Sequence, residues 1–184
     1  MRERFRDGKV ELLEHFRASR ATALAATRLI KSLTRQADQA LAELWDHAAM
    51  PAGATLLAVG GYGRGELFPY SDVDVMVLLP AGPVLDAARA ATRDTEAPVD
   101  SLRAAIERFV HACWDVGLEI GSSVRSIDEC VEQAQRDVTV QTALLESRFL
   151  CGSRRLYADF RSATDDIIDP RAFLRAKQLE MRQR

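Results

Sequence analysis

Apolar residues in the first fifty positions recur with a helical period. Leu24, Leu29, Leu33, Leu41, Leu44 and Trp45 fall on one broad stripe of a long helix that starts near Ser19. A shorter helix over residues 9–17 precedes it. Ala, Leu, Arg, Glu and Gln dominate here, and no proline occurs before Pro51, so the helical pattern runs on until Pro51-Ala52-Gly53 breaks it.

The period then changes. Residues 56–59 are a short apolar run that stops abruptly at Gly60-Gly61-Tyr62-Gly63-Arg64-Gly65-Glu66, as a buried strand entering a glycine-rich turn does. A second strand over 72–79 follows the turn Pro69-Tyr70-Ser71 and closes at Pro80. Residues 81–98 predict a short helix or loop. Over 101–116, Leu102, Ile106, Phe109, Val110 and Cys113 recur at spacings of three and four, an amphipathic helix that Gly117 stops.

Over 118–125, Leu118, Ile120 and Val124 alternate with Glu119, Gly121, Ser123 and Arg125, which predicts a third strand. Ser126 and Glu129 form a capping box that launches a short helix. Helices over 137–150, closed by Gly152, and over 170–184, capped by Asp169-Pro170, complete the chain. The order α-α-β-β-α-β-α-α-α is an α+β arrangement, a small sheet with many helices. It alternates too little for a doubly wound sheet. Trp45, Phe109 and Trp114 are expected in the core, with Cys113, Cys130 and Cys151 as small core residues.

Composition narrows the class. The 184 residues are 47% hydrophobic and 28% charged, which suits one folded domain with extra helices. Three segments are expected: a helical lead-in at 1–50, a strand-bearing core at 51–126 and a helical extension at 127–184. With 25 Lys+Arg against 27 Asp+Glu the net charge is −2, so neither a nucleic-acid coat nor a polybasic membrane binder is expected. No apolar run approaches the roughly 20 residues that span a bilayer, and the charged N-terminus has no apolar leader core. Three cysteines and three histidines (His15, His47, His111) are scattered, which is neither a disulfide framework nor a zinc site. A cytoplasmic location follows as an expectation.

Residues 56–79 carry the chemistry. Asp72 and Asp74 are two apart on a predicted strand, so both project from one face about 6.5 Å apart. Paired carboxylates repel unless a cation lies between them, and Mg²⁺ is commonly held by one or two carboxylates plus substrate phosphates. Val73, Val75, Val77 and Leu79 make the other face uniformly apolar.

Gly60, Gly61, Gly63 and Gly65 directly follow a strand, where glycine lets phosphate oxygens approach backbone N–H groups. Arg64 is placed to clamp a phosphate or to form a surface ion pair. Ser71 donates to a phosphate or caps the turn. Tyr62 reads as packing rather than base stacking. The dinucleotide pattern fails because Glu66 stands where its last glycine belongs, and no Gly-Lys-Ser/Thr follows for a P-loop. A phosphate-gripping loop beside a metal-binding carboxylate pair is an arrangement for phosphoryl or nucleotidyl transfer.

The run from Gly60 to Leu67, then Pro69 and Ser71-Asp72-Val73-Asp74, resembles the nucleotidyltransferase domain of bacterial protein-PII uridylyltransferases. Further blocks are similar in order and spacing: Trp114-Asp115 with Leu118, Ile120-Gly121 and Arg125; Glu129-Cys130; Asp137 with Thr139; Leu145-Glu146-Ser147-Arg148 with Leu150; and the closing helix from Phe173 to Lys177 and on to Arg184. The resemblance covers the chain from about residue 50 onward. It implies a polymerase-β-like nucleotidyltransferase fold with a small mixed sheet. It also implies Mg²⁺-dependent transfer of UMP from UTP to a tyrosine of the PII signalling protein, with release of pyrophosphate.

Asp72 and Asp74 map onto the family's metal-binding pair. Glu119 is the expected third carboxylate, with Asp115 as the fallback. Arg125 is placed to meet phosphate or Glu119, while Glu146 and Arg148 fit an ion pair on one helix. Ser122 departs from the family's Gly-His, which puts a histidine contribution in doubt. The HD phosphohydrolase and ACT sensing domains of that family do not fit in 184 residues, so a fragment or stand-alone descendant is expected. A nucleotidyltransferase with another acceptor, or an inactive nucleotide-binding remnant, is the alternative.

Overall fold

The computed structural model describes residues 1–80 and 99–183. The helix or loop expected over 81–98 lies outside the described residues.

Helix α1 spans Arg2–Ala18 and α2 spans Ala23–His47. The second begins at Thr22 rather than near Ser19, because the Thr22 hydroxyl accepts the Ala25 N–H at 3.1 Å. Leu29, Leu33, Ala37, Ala40, Leu41 and Leu44 form its buried stripe, whereas Leu24, one turn earlier, is exposed. Gln36 donates to the Phe5 carbonyl at 2.9 Å and ties the two helices together.

The remaining elements are β1 (Thr55–Ala58), α3 (Gly60–Gly63), β2 (Val73–Leu79), α4 (Val99–Val116), β3 (Ile120–Ser126), α5 (Ile127–Arg136), α6 (Val138–Leu145), β4 (Arg148–Gly152), α7 (Arg154–Asp166) and α8 (Pro170–Gln183). The sheet is mixed, in the order β3-β2-β1-β4. β1 runs antiparallel to β2 and β4, and β2 runs parallel to β3. The Ser126–Glu129 capping box is present in both of its hydrogen bonds.

Two elements after β3 differ from expectation. The helix predicted over 137–150 ends at Leu145, and Arg148–Gly152 becomes the fourth strand. No breaker residue marks the change. The open edge of β1 supplies backbone partners (Leu57 opposite Phe149, Ala58 opposite Arg148), and tertiary pairing overrides the helical propensity of the segment. Helix α7 had no counterpart in the expected order. Ser153 starts it by accepting the Leu156 N–H at 3.2 Å.

The two central strands, β1 and β2, are buried on both faces except at Asp74. Val73, Val75, Val77 and Leu79 pack with α2 and α4 in one core, while Met76 and Leu78 join Leu57, Cys130, Leu144 and Phe160 in a second. On its polar face β2 is therefore acidic at Asp74 alone, and hydrophobic packing takes over from Met76. Trp45 and Phe109 meet edge-on at 5.7 Å in the first core. Trp114 is corrected: it is exposed on α4 and stacks on His111. Cys113 and Cys130 are buried and Cys151 is half-buried on β4. Burial pushes each thiol up to about 12, so all three are protonated at neutral pH.

Candidate active site

β2 begins one residue after Asp72, so Asp72 ends the incoming turn and Asp74 lies in the strand. Both side chains are exposed. They line one open pocket of about 440 Å³ with Gly61, Tyr62, Arg64 and Ser71. Among the described residues neither carboxylate has a hydrogen-bond or ion-pair partner. Partial burial, and then the negative charge of Asp72, raise the Asp74 pKa above the ordinary aspartate value.

Two glycines make room for the Asp74 carboxylate. Gly121 is its neighbour across the parallel β2–β3 pair, and a Cβ at that position would stand 2.5 Å from Asp74 Oδ1. Gly60 has φ +58, and a Cβ there would stand 3.6 Å from Oδ2. Ser122, the departure from the family pattern, pairs with Val75 and so belongs to the opposite face of the sheet.

The glycine run is a single helical turn, α3, rather than an open loop. The first N–H groups of such a turn have no helical acceptor and point toward its N-terminal end. Gly63 serves packing: a Cβ there would lie 2.0 Å from the Glu146 carbonyl oxygen. Gly65, at φ +76, lets the chain leave the turn.

Arg64 donates to Glu66 at 2.9 Å and to Glu146 at 2.8 Å, at the rim of the pocket. Hydrogen bonding to Glu66 and then to Glu146 raises its pKa. The side chain is half exposed, so these pairs stabilise the fold little and leave the guanidinium able to change partners.

A brace behind the turn was not legible in the sequence. Tyr62 is buried, and its hydroxyl donates to Asp38 of α2 at 2.5 Å. Arg148 of β4 reaches the same carboxylate through two bonds, at 2.9 and 3.0 Å. Its guanidinium also lies over the Tyr62 ring, 5.3 Å from the centroid. Burial, then the Asp38 charge and hydrogen bond, drive the Tyr62 pKa far up, so it stays a neutral donor. Burial works against the Arg148 charge, but Asp38 more than offsets it. The expected Glu146–Arg148 pair on one helix is thus corrected: Glu146 pairs with Arg64, and Arg148, on a strand, pairs with Asp38.

Glu119 is exposed one residue before β3, and its carbonyl accepts the Val73 N–H at 2.8 Å. Its side chain lines a smaller adjoining pocket of about 110 Å³ with Lys9, Gln36 and Ser71. Among the described residues no three His, Cys, Asp or Glu side chains gather as a metal-holding group, so Glu119 is not drawn in with Asp72 and Asp74. Asp115 lines a different pocket on α4 with His47 and His111. Arg125 is opposite Leu78, along the strand from Glu119.

A carboxylate pair and a glycine turn on one small mixed sheet define a class, and the comparisons agree with it. Residues 35–140 match the family described as nucleotidyltransferase domain, and the chain belongs to that family. It is 49% identical, over 183 residues and the whole of its length, to the bifunctional uridylyltransferase/uridylyl-removing enzyme of Burkholderia lata. It is 51% identical over 156 residues, 85% of the chain, to the enzyme of the same name from Cupriavidus pinatubonensis. It spans 19% and 16% of those two relatives, about a fifth of their length or less. Among the described residues no helix is long and apolar enough to cross a membrane.

Proposed function

We propose that this chain transfers UMP from UTP to a tyrosine hydroxyl of the PII signalling protein, releasing pyrophosphate. The observation that carries the reading is that Asp72 and Asp74, unpartnered among the described residues, share one open pocket with Gly61 and Arg64. The family supports nucleotidyl transfer, and the uridylyltransferase relatives favour UTP as donor.

The donor set fits Mg²⁺. Asp72 and Asp74 offer oxygen only, repel one another, and have open space kept by Gly60 and Gly121. These two residues would hold the metal, and Mg²⁺ there would supply charge neutralisation for the triphosphate and the leaving pyrophosphate.

The chain's own groups do the rest. The first N–H groups of α3 and the Arg64 guanidinium bind phosphate oxygens, and Arg64 leaves Glu66 or Glu146 to do so. Ser71, which also lines the pocket, donates its hydroxyl to a phosphate. Asp38 and Arg148 hold Tyr62, and through it the turn, in place. The thiols, unpaired and protonated, suit a reducing cytoplasm.

The test mixes the chain with purified PII, Mg²⁺ and α-labelled UTP, with ATP, CTP and GTP in parallel and Asp74→Asn as control. Label should move from UTP to PII and be lost in the variant. A folded chain that binds Mg-UTP but labels nothing refutes the reading for this chain. Transfer to a different acceptor would keep the chemistry and overturn PII as the partner.

A further inference from the structure

The segment that joins the glycine turn to the carboxylates carries two exposed aromatic rings. Tyr70 is 85% exposed and Phe68 53%. Both line the pocket that holds Asp72, Asp74 and Arg64, and both also line the smaller pocket beside it.

Their backbone is stiff. The Ser71 N–H donates to the Phe68 carbonyl at 3.2 Å, which closes a four-residue turn with Pro69 in second position. Proline holds φ near −65° at that position. The turn is anchored from below, because Leu67 is buried and its N–H donates to the Thr34 hydroxyl of α2 at 3.1 Å. Two rings held outward on a fixed turn lose little freedom when they meet a planar partner. Neither contributes its ring to either core.

We propose that Phe68 and Tyr70 are the platform on which the nucleobase of the donor nucleotide stacks. This rests on the nucleotidyl-transfer reading. A nucleotide has one planar ring system, tethered to the same phosphates that Arg64 and the turn would bind, and these rings stand at the edge of that pocket. Every base has a π-face, so the platform confers preference for a nucleotide over a bare polyphosphate and does not choose among bases. Each ring should contribute roughly 5- to 150-fold in affinity.

The test is calorimetric binding of UTP, ATP and inorganic tripolyphosphate, each with Mg²⁺, to the wild-type chain and to Phe68→Ala, Tyr70→Ala and Tyr70→Phe. Circular dichroism melts check that each variant is folded, as expected for such exposed positions. The alanine variants should lose UTP and ATP affinity in the same proportion and keep tripolyphosphate affinity, while Tyr70→Phe retains both. Unchanged UTP affinity in both alanine variants overturns the proposal. So does an equal loss for UTP and tripolyphosphate, which would mean a distorted turn. So does a loss confined to the KM of the protein acceptor, which would place the rings on the acceptor side. Failure of the underlying reading is distinguishable: Asp74→Asn would then leave Mg²⁺-dependent tripolyphosphate binding unchanged. A wild-type chain that binds none of the three overturns both.

Discussion

Substituting Gly121 by alanine tests the active-site geometry with one methyl group. The added Cβ would stand 2.5 Å from Asp74 Oδ1, against ordinary contact from 3.4 Å, so the carboxylate must retreat by roughly 0.9 Å. The obstructing atom is the end of a side chain, which can turn away, so the backbone of β3 need not move. Alanine also lowers the entropic cost of a glycine in a strand by about 0.5–1 kcal/mol, which offsets the crowding. Stability should therefore change by less than about 1 kcal/mol, or a Tm shift of about 2–4 °C at most.

Activity should respond far more. A misplacement of about 1 Å in a positioned group can cost about 100-fold in rate, equivalent to about 2.7 kcal/mol of transition-state stabilisation. The assay is kcat/KM for nucleotidyl transfer at saturating Mg²⁺, beside a melt. Gly117→Ala is the control. Its φ is +93 and nothing lies within 4 Å of where its Cβ would stand, so it should lose about 1–2 kcal/mol of stability through backbone strain alone and keep its kcat. Wild-type turnover in folded Gly121→Ala would refute the idea that the position of the Asp74 carboxylate governs the reaction.

Three further outcomes are expected. Because the folded pKa of Asp74 is raised, its ionisation opposes folding once pH exceeds the ordinary aspartate value of about 3.9. Metal-free Asp74→Asn should then melt above wild type at pH 7, with the gain vanishing below about pH 4, and Mg²⁺ should raise the Tm of wild type only. Gly63→Ala places a methyl 2.0 Å from a backbone oxygen that cannot step aside, and should cost about 3 kcal/mol in a denaturant titration. Tyr62→Phe removes a donor from Asp38 but leaves Arg148 in place, so it should cost about 1–2 kcal/mol. Arg148→Met should cost more, and a double-mutant cycle should show the two coupled by over 0.5 kcal/mol.

Local signals made much of this readable beforehand. The Ser126–Glu129 box, the stripe of α2 and the apolar run of β2 each carry their own instruction within a few residues. The glycine turn and Asp72/Asp74 were legible because their chemistry is contiguous in the chain. What escaped depends on partners far away. β4 forms because β1 has an open edge, which nothing in Arg148–Gly152 announces. Asp38 is one acid among several on a polar helix face until Tyr62 and Arg148 arrive beside it. Trp114 shares the helical spacing of core residues and still faces outward, because a stripe marks a face more reliably than it marks its edges.

The brace at Tyr62 also sets an order of events during synthesis. The turn next to the carboxylates is made early, yet Arg148, which supports its carbonyl and its ring, is 86 residues further on. At about 5–20 residues per second, a nascent chain waits roughly 4–17 s between making the tyrosine and making the arginine that holds it. Over that interval β1 has no partner on its outer edge, and Asp38 has no guanidinium to meet. The segment matched by the family, residues 35–140, ends before that arginine. Excised by itself, it would retain the aspartates and the glycines but lack the strand whose Arg148 holds Asp38 and Tyr62, so a piece that keeps the turn braced extends at least through β4.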